Sequence, residues 1–381
     1  MTPVLILAKR DANNINHHAL TIAIIHLLSR RLFGTLKSNL VMSSTDADHI
    51  SGAINQLRNI GDEEAEAKEV SNVCANCGKA GSNMNVCNKC KEAKYCNATC
   101  KKKHRHKHKD DCEKVVQRMA ELHDAELKQA AELHDIELFE QPPLREDCPI
   151  CFLRLPCMDS GRRYMTCCGK EICSGCAHSP VTDHLGNRVN KVGERKCAFC
   201  RVTETGVNEE LIDRLKKRMK VNDALAFYGL GCAYFQGRYG LRQNVDKALE
   251  LWHKAAELGC ATAHRNIGIE YLNGNVVRKD EKNAAAQLEL AAMMGDESAR
   301  GKLGDDEARG GNVDRAIKHF LIAVASGSDQ ALGYIQAMFK GGGVSKEDYG
   351  TALRSRQAYL NEIRSDQRDE AAAFGDQYKY Y

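Results

Sequence analysis

The stretch "YCNATCKKKHRHKHKDDC", residues 95–112, sets three cysteines and three histidines among six lysines or arginines. Thiolate and imidazole are zinc ligands, and a zinc site needs them at fixed offsets, whereas a solvated basic surface does not. Cys96 and Cys100 are four apart, as are His108 and Cys112. On a helix such pairs share a face, so each can offer two ligands to one ion. Upstream, Cys74/Cys77 and Cys87/Cys90 form two C-x-x-C turns. Four pairs suffice for two tetrahedral sites. His104 and His106 fall off the required offset. Lys101, Lys102, Lys103, Arg105, Lys107 and Lys109 then read as a solvated helix face that offsets thiolate charge. The alternative is a phosphate-binding patch for nucleic acid. No aromatic residue is interleaved among these cations for base stacking, which disfavours that role.

A second cluster spans residues 148–200. Cys148/Cys151, Cys173/Cys176 and Cys197/Cys200 repeat the C-x-x-C pattern. The remaining pair is less plain. Adjacent Cys167 and Cys168 restore a count of eight, although neighbouring cysteines on one ion need an unusual backbone. His178, His184 and Cys157 are the alternatives. Cys232 and Cys260 fall in helical sequence and read as buried apolar residues. A secreted disulfide scaffold is normally shorter and lacks such pairing. With no secretory signal, zinc in a reducing compartment, cytoplasmic and/or nuclear, is the better account.

The first cluster, C-x2-C-x9-C-x2-C-x5-C-x3-C-x7-H-x3-C over 74–112 with Tyr95 before the fifth ligand, resembles the MYND zinc finger. The resemblance implies interleaved pairs: Cys74, Cys77, Cys96 and Cys100 on one zinc, and Cys87, Cys90, His108 and Cys112 on the other. It departs at Arg105, where that family often has tryptophan. Residues 148–201 resemble a RING finger, a cross-braced fold that also holds two zincs, for four ions in all. The histidine usual three residues before the fifth ligand is here Lys170, which cannot ligate while protonated. The resemblance implies that Ile150 contacts a ubiquitin-conjugating enzyme. It also implies that Arg201, just after the last ligand, bridges that enzyme and its bound ubiquitin. Such a domain has no nucleophile and acts by holding the thioester in a reactive conformer. The structural alternative is that Ile150 fills a small core and Arg201 is a surface cation.

The surrounding elements must position these groups. Residues 1–70 are weakly patterned. Ala19 to Leu28 reads as a packed helix or a poorly defined leader, and "GDEEAEAKEVSN" as an acidic linker. Residues 113–140 are predicted helical: "AELHDAEL" at 120–127 returns as "AELHDIEL" at 131–138, so Leu122 and Leu133 keep one face. The helix is a spacer, a short coiled coil or a partner-binding helix. His123 and His134 lie three turns apart, too far to share an ion, and read as solvated. "QPPLRED" stops the helix.

From 208 to 371 the chain is predicted to be repetitive and helical. Ala226, Ala263, Ala299 and Ala331 open four units. Leu230, Ile267, Leu303 and Ile335 follow at +4, and Gly231, Gly268 and Gly304 at +5, where unit four has Gln336. Gly237, Gly274, Gly310 and Gly342 follow at +11, and each second helix ends at Gly259, Gly295 or Gly327. Periods in the thirties with two helices mean a solenoid. The motif resembles Sel-one-like repeats, relatives of tetratricopeptide repeats. Stacked helix pairs form a concave surface for protein partners. The expected fold is mainly α: two small cross-braced zinc modules followed by an α-solenoid.

The totals agree. Across 381 residues the net charge is +4, which is not that of an obvious polyanion binder. No apolar run reaches the roughly 20 residues that cross a bilayer. The expected partners are proteins or peptides, with a conjugating enzyme among them. The expected function is an interaction scaffold with ligase character, the alternative being a non-catalytic adaptor.

Overall fold

The computed structural model describes residues 72–178 and 196–381. The segment 1–70 and His184 therefore lie outside the described residues. The chain divides into two units, one ending at Leu122 and one from His123 to Tyr381.

In the first unit, β1 (Asn85–Val86) pairs antiparallel with β2 (Lys94–Tyr95), with Asn85 opposite Tyr95. Cys74, Cys87, Cys90, Tyr95 and Cys112 are its buried core. Sulfur replaces the aliphatic residues that so short a segment cannot supply. The helix α1 (Ala98–Leu138) is longer than the 113–140 expected from sequence, because it begins inside the finger. It contains neither Gly nor Pro and is rich in Ala, Glu, Lys and Leu, so nothing local interrupts it. The Asn97 side chain accepts from the Cys100 N–H at 2.9 Å and caps the start. Cys96 therefore precedes the helix instead of lying on it. Leu122 and Leu133 are exposed, as are His123 and His134, although His134 lies 3.2 Å from Glu289.

The second unit begins with a hairpin, β3 (Arg162–Met165) against β4 (Lys170–Cys173), followed by the short helix α2 (Ser174–His178). A leading helix, α3 (Asn208–Met219), precedes the repeats. The first helices of the repeats are α4 (Ala224–Gln236), α6 (Ala261–Asn273), α8 (Glu297–Arg309) and α10 (Asp329–Lys340). The second helices are α5 (Val245–Glu257), α7 (Glu281–Met293), α9 (Val313–Ala325) and α11 (Lys346–Ile363). The chain closes with α12 (Asp366–Phe374).

Local sequence explains the helix ends. Asn244, Asp280, Asp296, Ser328 and Ser345 each accept a backbone N–H two or three residues into the helix they precede. Gly259, Gly295 and Gly327 adopt the left-handed conformation after the second helices. In unit three the repeat glycine Gly310 is right-handed, and Gly311 takes the left-handed turn.

The glycines at +5 act by size. A Cβ on Gly231 would lie 2.6 Å from the Trp252 ring, and one on Gly304 2.7 Å from Phe320. In units one to three the second helix thus lays a large side chain, Trp252, Leu288 or Phe320, directly on the backbone of the first. Ala226, Ala263, Ala299 and Ala331 are fully buried beside these contacts. In unit four Gln336 is exposed, so no ring seats there.

The stretch 145–164 is seated on the row of turns that join one repeat to the next. Tyr164 reaches Asp223 before α4, and the Arg145–Glu297 pair (2.9 Å) lies at the start of α8. The Cys157 sulfur contacts the Gly327 carbonyl after α9, while the Cys157 N–H donates to the Tyr359 hydroxyl at 2.8 Å. The end of α1 docks nearby. Fully buried Arg300 donates to the carbonyls of Leu138 and Ala292, the C-terminal ends of α1 and α7, where helix dipoles favour a cation. Burial lowers its pKa to about 10.

Candidate metal centres

Four C-x-x-C turns share one local geometry. The residue after the second cysteine donates its N–H to the carbonyl of the first: Gly78 to Cys74, Lys91 to Cys87, Phe152 to Cys148 and Arg201 to Cys197, all between 2.9 and 3.1 Å. Each of those residues has positive φ, between 58° and 71°. This tight turn aims both sulfurs to the same side, which is what one ion requires.

Four groups of four donors result. Cys74, Cys77, Cys96 and Cys100 lie together, as do Cys87, Cys90, His108 and Cys112. In the second module, Cys148, Cys151, Cys173 and Cys176 form one group and Cys167, Cys168, Cys197 and Cys200 the other. Within each group all donor atoms lie within 4.8 Å of one another. In chain order, the first pair joins the third and the second joins the fourth in both modules. Every residue expected as a ligand from sequence is in one of these groups.

The separations fit zinc. Sulfurs about 2.3 Å from a tetrahedral ion are about 3.8 Å apart. The structure has Cys77–Cys96, Cys87–Cys112 and Cys151–Cys173 at 3.7 Å and Cys168–Cys197 at 3.9 Å, with Cys96–Cys100 at 3.5 Å and Cys167–Cys200 at 3.3 Å somewhat closer. A disulfide would bring them to about 2.05 Å. All 18 cysteines lie among the described residues and all are free. The thiols also divide electrostatically. Backbone N–H groups, that of Cys96 foremost, draw Cys74 down to about 6, whereas its bond to Cys100 holds Cys96 up at about 12. Burial holds Cys112 up at about 11. Several thiols packed together resist full ionisation until a cation compensates them.

The adjacent cysteines are accommodated by the β3–β4 turn. Cys168 and Gly169 both donate to the Met165 carbonyl, and Gly169 has φ +73°. Arg218 lies so close that a Cβ on Gly169 would sit 2.2 Å from its guanidinium. Sequence reasoning missed Gly169; its place directly after "CC" was the available signal. Lys170 is exposed on β4. His178 is not a donor here: it is buried against the Phe374 and Tyr378 rings. Cys157 is held by Gly327 and Tyr359, away from the cluster. Cys260 is buried as expected, and Cys232 is half-buried.

His104 departs from the solvated reading. Its Nδ1 lies 3.3 Å from the hydroxyl of buried Tyr95, and its ring stacks on His108 with centroids 5.9 Å apart. Lys101 is also engaged, donating to Val86 O and Asn88. Lys102, Lys103, Arg105, His106, Lys107 and Lys109 are exposed.

Residues 74–112 match the family model of the MYND finger, and residues 223–260 and 261–296 each match the Sel1 repeat. The chain carries a MYND finger and Sel1 repeats. The ERAD-associated E3 ubiquitin-protein ligase component HRD3B of Arabidopsis thaliana is 28% identical over 141 residues, which are 37% of this chain and 21% of that protein. The match thus spans about a fifth of that relative. A Sel1 repeat protein from Oxalobacter formigenes is similar at 22% identity and TM-score 0.36, over 45% of this chain and 78% of that one. Helicobacter pylori cysteine rich protein B is similar at 26% identity and TM-score 0.28, over 33% and 93%. A zinc-finger segment and a pair of Sel1 repeats thus lie on one chain. Among the described residues no helix is long and apolar enough to cross a membrane.

Proposed function

We propose that this protein is an interaction scaffold that binds four zinc ions, two per module, and recruits a ubiquitin-conjugating enzyme through residues 148–201, giving it RING-type ubiquitin ligase activity. The observation that carries this reading is the interleaving of Cys148/Cys151 with Cys173/Cys176 and of Cys167/Cys168 with Cys197/Cys200. The arrangement supplies no nucleophile of its own. It offers a rigid surface at the tips of two turns, where Phe152 is 76% and Phe199 43% exposed. Arg201 is exposed directly after the last cysteine and is free to reach a bound ubiquitin. The similarity to a ligase component supports the same direction.

The repeats would choose the protein or peptide to be modified. A groove of about 370 Å³ runs across the first helices, lined by Arg265, Asn266, Ile269, Lys302, Asp305 and Tyr334. Its mixed polarity suits an extended peptide more than an apolar ligand. A reducing compartment, the cytoplasm or nucleus, is the setting in which thiols paired for metal would stay reduced.

A second reading, a non-catalytic adaptor, is favoured by Ile150, which is half-buried against the core of its own module. Autoubiquitination across a panel of conjugating enzymes separates the two. Ile150→Ala and Arg201→Ala should keep four zincs and lose transfer. Fully metallated wild-type protein that transfers nothing with any conjugating enzyme leaves only the adaptor, and two bound zincs would remove the second module from the metal assignment.

A further inference from the structure

Arg368 is fully buried. Its Nη1 donates to the carbonyls of Arg154 (2.8 Å) and Ile363 (2.6 Å), and its Nη2 to that of Leu153 (3.2 Å). Nη2 also stands 3.7 Å from the Cys151 sulfur. Neutral carbonyls solvate a guanidinium but do not balance its charge, and an uncompensated buried cation costs several kcal/mol. Among the described residues no carboxylate forms an ion pair with Arg368. The group beside its Nη2 that can carry negative charge is the Cys151 sulfur, one of the four donors of its cluster.

Its place in the helix sharpens the point. Arg368 lies in the first turn of α12, whose cap is Ser365. The dipole at a helix N-terminus disfavours a cation, so the helix does not explain it. Four thiolates around a zinc ion do, since they carry a net charge of about −2. The backbones are also in contact. A Cβ on Gly175, between Cys173 and Cys176, would come within 3.0 Å of the Arg368 nitrogen and of Gln367. The last residues close over the same module, with Tyr380 fully buried and packed on Gly161.

We infer that Arg368 is a positioning residue for metal at Cys148, Cys151, Cys173 and Cys176, and that metal there latches the C-terminal segment 365–380 onto the module. The inference rests on the metal reading of this cluster and is independent of ligase activity. The zinc centre and the end of the solenoid then form one cooperative element. Without metal the four sulfurs are no longer held together, the face on which Arg368 and Gln367 pack is loosened, and α12 is released.

The test uses the full chain. Zinc is titrated out with a chromophoric chelator in wild type, Arg368→Met and Arg368→Lys. One of the four zincs should bind about 10- to 100-fold more weakly in Arg368→Met. Arg368→Lys, which keeps charge but not the fork, should restore part of that loss. Cobalt substitution should show a shifted thiolate charge-transfer band for that one site. Four unchanged affinities in Arg368→Met would overturn the inference while leaving the metal reading intact; a wild-type chain with only two zincs would overturn both. Should the variants not fold, hydrogen exchange on wild type still decides. Chelation should reduce amide protection in 366–374 at least tenfold while α6 to α8 keep theirs, and unchanged protection of 366–374 would sink the latch.

Discussion

The Tyr164 hydroxyl donates a 2.9 Å hydrogen bond to the Asp223 carboxylate. That carboxylate also accepts from Arg218 at 2.9 Å and caps α4 through the Leu225 N–H. One acidic side chain thus ties the β3–β4 hairpin, the leading helix and the first repeat together. Burial, reinforced by the bond to Asp223, raises the tyrosine well above its ordinary range, so it remains a donor at any physiological pH.

Tyr164→Phe removes this bond without removing the ring. A hydrogen bond to a charged group contributes about 1.5–3 kcal/mol, and Arg218 remains to compensate Asp223. We expect a loss of about 2 kcal/mol in chemical denaturation with zinc content unchanged. A parallel loss of zinc would mean that the hydroxyl supports the metal centre and not the junction.

The three histidines of the opening stretch should separate into three grades. His108→Ala removes a donor and should release one zinc from the finger. His106→Ala, at an exposed site, should change stability by no more than about 0.5 kcal/mol. His104→Ala leaves the buried Tyr95 hydroxyl without its partner and should cost about 1 kcal/mol with both zincs retained. Metal analysis and thermal melts of the three variants read this directly; equal effects would refute the register.

Gly231→Ala should destabilise the first repeat by about 1–3 kcal/mol, because the added methyl overlaps the Trp252 ring and the helices must part. Gln336→Ala, at the equivalent place in unit four, should be near neutral. Tryptophan fluorescence during unfolding reports the first change, and an unshifted Trp252 signal would contradict it.

Acid should weaken the solenoid through His319. This residue is 1% exposed, and burial, with Arg300 and Arg315 nearby, lowers its pKa from 6.5 to about 4 despite Glu307 and Asp135. The unfolded chain therefore takes up a proton before the folded one does. Stability from this group is complete above pH 6.5 and falls as the pH drops toward 4, by on the order of 3 kcal/mol. His319→Gln should flatten that part of the pH–stability profile. Comparing variant with wild type cancels the acid-dependent loss of metal that both share, and identical profiles would exclude His319 as the source.

Much of this molecule was legible in its residues. Cysteine offsets of three and four map onto one turn or one helix face, so pairs that can hold an ion are encoded locally. The repeat register was readable for the same reason: small residues at +5 face the partner helix whatever else the chain does. Local regularity could also mislead. His104 looked solvated because its partner Tyr95 belongs to a strand.

The sequence by itself determined which residues can be ligands, how many groups they make and where helices pair, because these depend on chain geometry over a few residues. Tertiary structure decided which pairs meet in the second module, how Cys167 and Cys168 share one turn, and that the stretch 145–164 lies along the repeat junctions. It also decided that Arg368, more than two hundred residues beyond Cys151, lies against that cysteine's sulfur. No periodicity encodes such a contact. It exists because a buried cation must find negative charge, and only the folded chain brings the two together.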